Sequence, residues 1–302
     1  MQKKIVFCIA VSLITLLGCS TTQKLPPMSM LMASHISGSV VYARIVSHEP
    51  FLTQIFLKNL DTGEIRPLTA PGKYGWPRWS PDGRQILFLS WTKENSHDIY
   101  LMNKDGSNQR PVVAGPADET MADWSPDGGK IVFVSNDQDS DSIYVLDLKA
   151  QTILKLIDNV GVAGLPKWSP DGKRIAFISA IQHSRPQVFV MNADGTDIEQ
   201  LTEYDLDHFD DNPAWCPDDS CIVFTRYVNG IPKLMLLDLS NKEVHQLFSN
   251  VFAPDLIETR PVRSPSRSYI TFSVGGVFYA MDMKKGEIYP LGVEALDLSL
   301  YP

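Results

Sequence analysis

One five-residue word recurs along the chain: Trp79-Ser-Pro-Asp-Gly83, Trp124-Ser-Pro-Asp-Gly128 and Trp168-Ser-Pro-Asp-Gly172, then a degraded Trp215-Cys-Pro-Asp-Asp219 and a worn Arg263-Ser-Pro-Ser-Arg267. The steps between copies are 45, 44, 47 and 48 residues. A near-constant period of this length marks a repeat architecture, in which each unit buries its apolar face by stacking on its neighbour. It excludes an irregular single core and a helical bundle.

The content of each period narrows the choice. Every copy is followed by a short run rich in β-branched and aromatic residues, such as Gln85-Ile-Leu-Phe-Leu-Ser90, Lys130-Ile-Val-Phe-Val-Ser135 and Arg174-Ile-Ala-Phe-Ile-Ser179. Such runs suit strands buried on both faces. A second strand follows, then a Gly-bearing turn and an outer strand, which makes four antiparallel strands per unit: a propeller blade. Residues 39–69 supply three strands of one more blade without its innermost member, and the tail Ala295–Leu300 is a spare strand after the last repeat. The expectation is an all-β, six-bladed propeller closed by its C-terminal strand. In each Pro-Asp-Gly turn, Pro presets φ, Asp bonds nearby amides and Gly tolerates positive φ, so these aspartates read as structural. The tryptophans read as wedges between blades.

The amino terminus has a different character. Lys3 and Lys4 precede the apolar run Ile5 to Leu17, which is short for a membrane span and suits a secretion signal. Leu16-Leu17-Gly18-Cys19 resembles the lipobox of bacterial lipoproteins. That resemblance implies a signal peptide over 1–18, lipid (palmitate among its acyl chains) on Cys19, a lipidated tether over 19–37 and the propeller over 38–302. Ser20 stands where an inner-membrane retention signal would place Asp, so the expected location is the outer membrane, facing the periplasm.

The Trp-Ser-Pro-Asp-Gly word, with Val190-Met-Asn-Ala-Asp-Gly-Thr196 and Gln200-Leu-Thr202, resembles the TolB-like propellers. The resemblance covers residues 39–302 and implies an envelope protein with an envelope protein or peptidoglycan-associated partner. The stretch between Cys19 and Ser39 leaves no room for the α/β domain that precedes the propeller of TolB itself, so a TolB-like propeller on a lipoprotein is expected. The family's propeller also accompanies hydrolase domains and forms metal-dependent lyases. Here no Gly-x-Ser-x-Gly elbow and no paired zinc-type histidine spacing occurs, and a non-enzyme is expected.

Charge points to the candidate site. The chain carries 27 Lys+Arg against 35 Asp+Glu, a net −8 that argues against nucleic acid, and loss of Lys3 and Lys4 with the signal takes it to −10. The loops between second and third strands, together with the links between blades, share one rim and sum to −12. Function on a propeller concentrates in such irregular loops. The candidate ligand-binding residues are Asp118, Glu119 and Asp123 at the entry to the third blade, with Asp205, Asp207, His208, Asp210 and Asp211 leading into the fifth. Like charges converging around a channel attract a cation or basic partner. No cofactor is required, but Ca²⁺ could bind, with Asp137, Asp139 and Asp141 as weaker metal candidates that lack the later Gly and Glu of an EF-hand. Cys216 and Cys221 flank a four-residue turn in an exported chain, and a disulfide between them is expected. The function expected is a lipid-anchored, non-catalytic binding propeller that touches the membrane only through its lipid; the alternative is a metal-dependent carbohydrate lyase or hydrolase at the channel mouth.

Overall fold

The computed structural model describes residues 36–93, 96–137, 140–158, 164–180, 185–248, 258–264, 268–293, 295 and 297–301. The signal, Cys19 and most of the tether lie outside the described residues, as does Asp139. Within them, 24 strands form six four-stranded antiparallel sheets, and no helix is long and apolar enough to cross a membrane.

The first blade contains β1 (Ser39–His48), β2 (Phe51–Asn59) and β3 (Ile65–Pro67). The second has β4 (Tyr74–Trp79), β5 (Gln85–Lys93), β6 (Ser96–Asn103) and β7 (Arg110–Val113). The third has β8 (Asp118–Trp124), β9 (Lys130–Asp137), β10 (Ser140–Asp147) and β11 (Thr152–Ile157). The fourth has β12 (Lys167–Trp168), β13 (Arg174–Ser179), β14 (Gln187–Asn192) and β15 (Glu199–Gln200). The fifth has β16 (His208–Trp215), β17 (Cys221–Val228), β18 (Ile231–Asp238) and β19 (Val244–Gln246). The sixth has β20 (Glu258–Arg263), β21 (Tyr269–Val274), β22 (Val277–Asp282) and β23 (Glu287–Pro290). The final strand, β24 (Asp297–Tyr301), pairs antiparallel with β1 from Ser39↔Tyr301 to Ala43↔Asp297, which supplies the missing inner strand of the first blade.

The six apolar clusters each lie across a boundary between neighbouring blades. Trp168, for example, packs with Val132, Val134 and Ile143 of the third blade and Phe177 of its own, while Trp215 packs with Ala176, Ile178 and Val190 of the fourth. The four motif tryptophans are 1–4% exposed, so they are the expected wedges. Two also tie blades by hydrogen bonds, since Trp124 Nε1 donates to Arg78 O (3.4 Å) and Trp215 Nε1 to Lys167 O (3.0 Å). At the ring closure, Leu298 and Leu300 of β24 join Phe278, Ala280 and Tyr289 of the sixth blade in one cluster. Ser264 Oγ donates to Leu300 O (2.9 Å) and the Trp79 amide to Ser299 Oγ (3.4 Å), so β24 is held from the blades on both sides.

The motif turns work as a small hydrogen-bond circuit. Ser80 Oγ donates to Asp82 Oδ1 (2.7 Å) and accepts the Gln85 amide (2.9 Å), and Asp82 Oδ1 accepts the Arg84 amide (3.0 Å). Ser125 with Asp127 and Ser169 with Asp171 repeat it. The Ser80 hydroxyl, followed by the Arg84 amide and its charge, holds the Asp82 carboxyl below its ordinary range, and Ser125 does the same for Asp127. In the fifth blade the positions of Ser80 and Gln85 are occupied by Cys216 and Cys221. A disulfide joins them across a Cα separation of 5.1 Å, so a covalent link stands where a hydroxyl bridge closes the other turns.

Candidate binding site at the channel mouth

In each blade the innermost strand runs from one rim of the ring to the other. The Trp-Ser-Pro-Asp-Gly turns define a turn rim. The opposite loop rim holds the blade links and the tips of the second hairpins, such as Val228↔Ile231 in the fifth blade. A cavity of about 320 Å³ occupies the centre of the ring, lined mainly by residues of the inner strands. It reaches toward the loop rim, because Tyr227 in its wall pairs with Phe209, one residue in from the His208↔Val228 end of the β16–β17 ladder. Toward the turn rim a smaller hollow of about 30 Å³ lies among Trp79, Pro81, Asp123, Trp124, Arg263 and Ser299. Among the described residues the cavity forms a cup on the loop-rim side of the inner strands, and its size lies at the small end of the ~300–1,000 Å³ typical of ligand pockets.

Its wall is built by a repeated bulge. The ladder slips between Gly75 and Arg78, Thr120 and Asp123, Asp211 and Ala214, and Thr259 and Val262. At each slip one non-glycine residue takes a left-handed backbone: Trp76 (φ 49°), Met121 (55°), Asn212 (50°) and Arg260 (57°). Leu165 (45°) does the same just before β12. All five stand three residues before the motif Trp or, in the sixth blade, before Arg263, and all five line the cup. A bulge leaves one residue out of the ladder and re-aims its side chain. Pro follows four of the five, at Pro77, Pro166, Pro213 and Pro261, and removes an amide that a regular ladder would use. Left-handed backbone at such residues costs on the order of 1–3 kcal/mol each and gathers at functional sites. The candidate residues above omit this ring; its visible signal is the x-Pro-x-Trp spacing ahead of the motif.

Among the described residues that line the cup, Arg78, Lys167 and Arg260 carry positive charge and Asp211 negative. Burial pushes Asp211 above its ordinary carboxyl range, while the Asn212 amide (2.8 Å), the Arg260 charge and Asn212 Nδ2 (2.7 Å) pull the other way. Tyr227 is raised by burial and by Asp211, with Arg260 opposing. Trp76 adds aromatic surface and continues outward into Trp91 (5.6 Å between ring centres) and His97.

The acidic candidates do not converge on the cup. Asp210 is fully buried in a bidentate pair with Arg226, which donates to it through Nε (2.7 Å) and Nη2 (2.9 Å). Losing one partner of such a pair costs about 3–5 kcal/mol, so Asp210 holds the fold rather than a ligand. Asp118 accepts the His97 amide (2.8 Å), with His97 Nδ1 2.5 Å away, and Asp123 accepts the Trp168 amide (3.1 Å). Glu119 is buried in the wall of the third blade. Asp205 and Asp207 remain exposed on the loop rim; Asp205 accepts the Asp207 amide (2.8 Å) and lies 3.5 Å from His208 Nδ1. Of the eight, only Asp211 lines the cup. Asp141 accepts Asn136 Nδ2 (2.7 Å), and among the described residues no three His, Cys, Asp or Glu side chains gather as a metal site would require.

Six closed blades around a central cavity define the class: a β-propeller. The TolB beta propeller domain matches residues 24–142 and 134–284, and the chain belongs to that family. TolB from Acinetobacter baumannii superposes with a TM-score of 0.68 at 19% identity, over 87% of this chain and 65% of that one. An oligogalacturonate lyase in complex with manganese superposes with a TM-score of 0.58 at 16% identity, over 79% and 72%. The uncharacterized peptidase YuxL of Bacillus subtilis is 28% identical over 178 residues, 59% of this chain and 25% of that protein. The chain thus spans about a quarter of that curated relative and just under two thirds of the Acinetobacter protein.

Proposed function

We propose that this propeller is a non-catalytic binding module of the bacterial envelope, held to the outer membrane by lipid on Cys19, and that it receives an envelope protein or a peptidoglycan-associated partner on its loop rim. One observation supports this reading: the cup reaches toward the rim on which the carboxylates Asp205 and Asp207 are exposed. Binding on propellers concentrates where irregular loops surround a concave centre. A metal-dependent lyase or hydrolase would need converging donors at the mouth, and the described wall offers one carboxylate, Asp211, beside the amide of Asn212.

Envelope extracts passed over the immobilised full chain test the partner. Wild type should retain a partner that elutes with rising salt, and the double substitution Asp205→Asn/Asp207→Asn should weaken retention, since exposed charge acts through screened fields. Equal retention by the variant, or none by wild type, would remove the rim from the account. Metabolic labelling with palmitate, absent in Cys19→Ala, tests the anchor separately.

A further inference from the structure

Going beyond the rim partner and independent of it, we infer that the cup is a saccharide site, taking the uncharged end of a glycan between aromatic side chains of two facing blades. In a ring of six, the second and fifth blades stand opposite each other. Each brings an aromatic stack to the cup. From the second, Trp76 lines the wall, and Trp91 (5.6 Å between ring centres) and His97 (4.4 Å from Trp91) carry the stack outward. From the fifth, Tyr227 lines the wall and stacks on Phe209 at 4.5 Å, with the rings within 6° of parallel. These four aromatic side chains are only partly buried, unlike the motif tryptophans, so they are surface rather than core. A pyranose ring is amphipathic, with C–H groups on its faces and hydroxyls around its edge. The faces suit aromatic walls, and the edge suits Asp211 and Asn212, which line the same cup. A purely apolar guest would strip water from those polar groups and leave them unpaired.

Charge selects a neutral guest. Arg78 donates to Pro77 O (2.9 Å) and Leu298 O (3.3 Å), and Lys167 and Arg260 have partners of their own, so the wall does not call for an anion. The same three groups oppose a cation in the cup, while Asp205 and Asp207, exposed on the rim, oppose a polyanion such as a polyuronate. The second-blade stack is also held in place. Trp76 is presented by left-handed backbone ahead of Pro77, and Gly75 leaves room for the Trp91 ring, whose Cη2 would lie 3.1 Å from a Cβ at that position. His97 is anchored across the blade boundary by Asp118, which accepts its amide (2.8 Å). Rings fixed in this way leave little ordering to oppose binding.

The probes are maltotriose, cellotriose and chitotriose, all uncharged, with trigalacturonate as the acidic counterpart. Each is titrated into the full chain by calorimetry and by acrylamide quenching of tryptophan emission. Four of the six tryptophans are the motif wedges, 1–4% exposed, so protection from acrylamide reports on Trp76 and Trp91. At least one neutral trisaccharide should bind with a Kd of about 1 mM or tighter and protect the emission. Trigalacturonate should bind at least about tenfold more weakly than that sugar. Trp76→Ala and Tyr227→Leu should each weaken binding by about tenfold, while Trp76→Phe, which keeps a ring, should lose less. No neutral trisaccharide bound, trigalacturonate bound as tightly or more tightly, or unchanged binding in either Trp76→Ala or Tyr227→Leu overturns the inference. If Trp76→Ala fails to fold by circular dichroism, Tyr227→Leu on the opposite blade decides it. The extract experiment uses Asp205 and Asp207, outside the cup. Salt-sensitive retention there with no saccharide bound here sinks the cup site and leaves the rim reading standing, and the reverse result does the opposite.

Discussion

At the scale of single residues, the motif turns show how one position can carry two duties. Gly83 (φ 66°) supplies the left-handed backbone of its turn, and a Cβ there would also meet the ring of Tyr301 at 2.4 Å. Gly128 (φ 72°) fills the same place one blade later, but its Cβ would meet only Pro81 Cδ at 3.7 Å. Gly83→Ala should therefore destabilise well beyond the ~1 kcal/mol expected of Gly128→Ala, and also loosen the closing strand. Denaturation midpoints of the two variants check the order. Asp219 stands where the other copies have Gly, at φ 62°, and its carboxyl is raised first by burial and then by the neighbouring Asp171. Asp219→Gly relieves both, and should raise stability by about 0.5–1 kcal/mol in the same measurement; a lower midpoint would mean that its weak acceptance of the Asp171 amide (3.4 Å) outweighs the strain.

Among elements, β24 matters beyond its five residues because it is the seam of a closed ring. Leu300 is fully buried between the first and sixth blades. Leu300→Ala should cost about 2–5 kcal/mol, whereas Ile153→Ala, half exposed on the outer strand β11, should stay within about 0.5 kcal/mol. Equal effects on urea unfolding would show that the seam is not where the ring is held. The strands, their order and the closing role of the tail are legible in the sequence because a 45-residue period and short β-branched runs leave few ways to bury every blade. The ends are less so: Ala295–Leu300 is expected and Asp297–Tyr301 observed, since Tyr301 gains a place against Trp79 (5.6 Å between ring centres).

For the whole molecule, the turn aspartates set a pH limit. Asp82, Asp105, Asp127, Asp194 and Asp238 are all held below their ordinary range, in each case chiefly by a neighbouring Ser or Thr hydroxyl. A folded-state value below the unfolded ~3.9 means that the stabilisation is fully present above about pH 4 and is lost as pH falls through the folded values. Partly buried Asp211 and Asp219 act with the opposite sign, but they are two against seven, since Asp147 and Asp171 are held low as well. Urea midpoints should be flat from pH 7 to 5 and fall steeply below about pH 4. A midpoint unchanged at pH 3 would show that the turns do not depend on ionised aspartate.

The sequence by itself determined the six blades, the wedge role of Trp79, Trp124, Trp168 and Trp215, and the structural role of the Pro-Asp-Gly aspartates, because each follows from local chemistry repeated at a fixed period. Which charged side chains reach the centre was decided only by the tertiary structure. Glu203 to Asp211 reads as one acidic run, but strand alternation and the bulge send its members to different places: Asp205 and Asp207 to solvent, Asp210 to Arg226, Asp211 to the cup. Arg78, Lys167 and Arg260 lie more than 80 residues apart along the chain, and ring closure alone makes them neighbours. A linear sum of charge cannot anticipate that, because the potential in a cavity depends on which side chains the backbone turns inward.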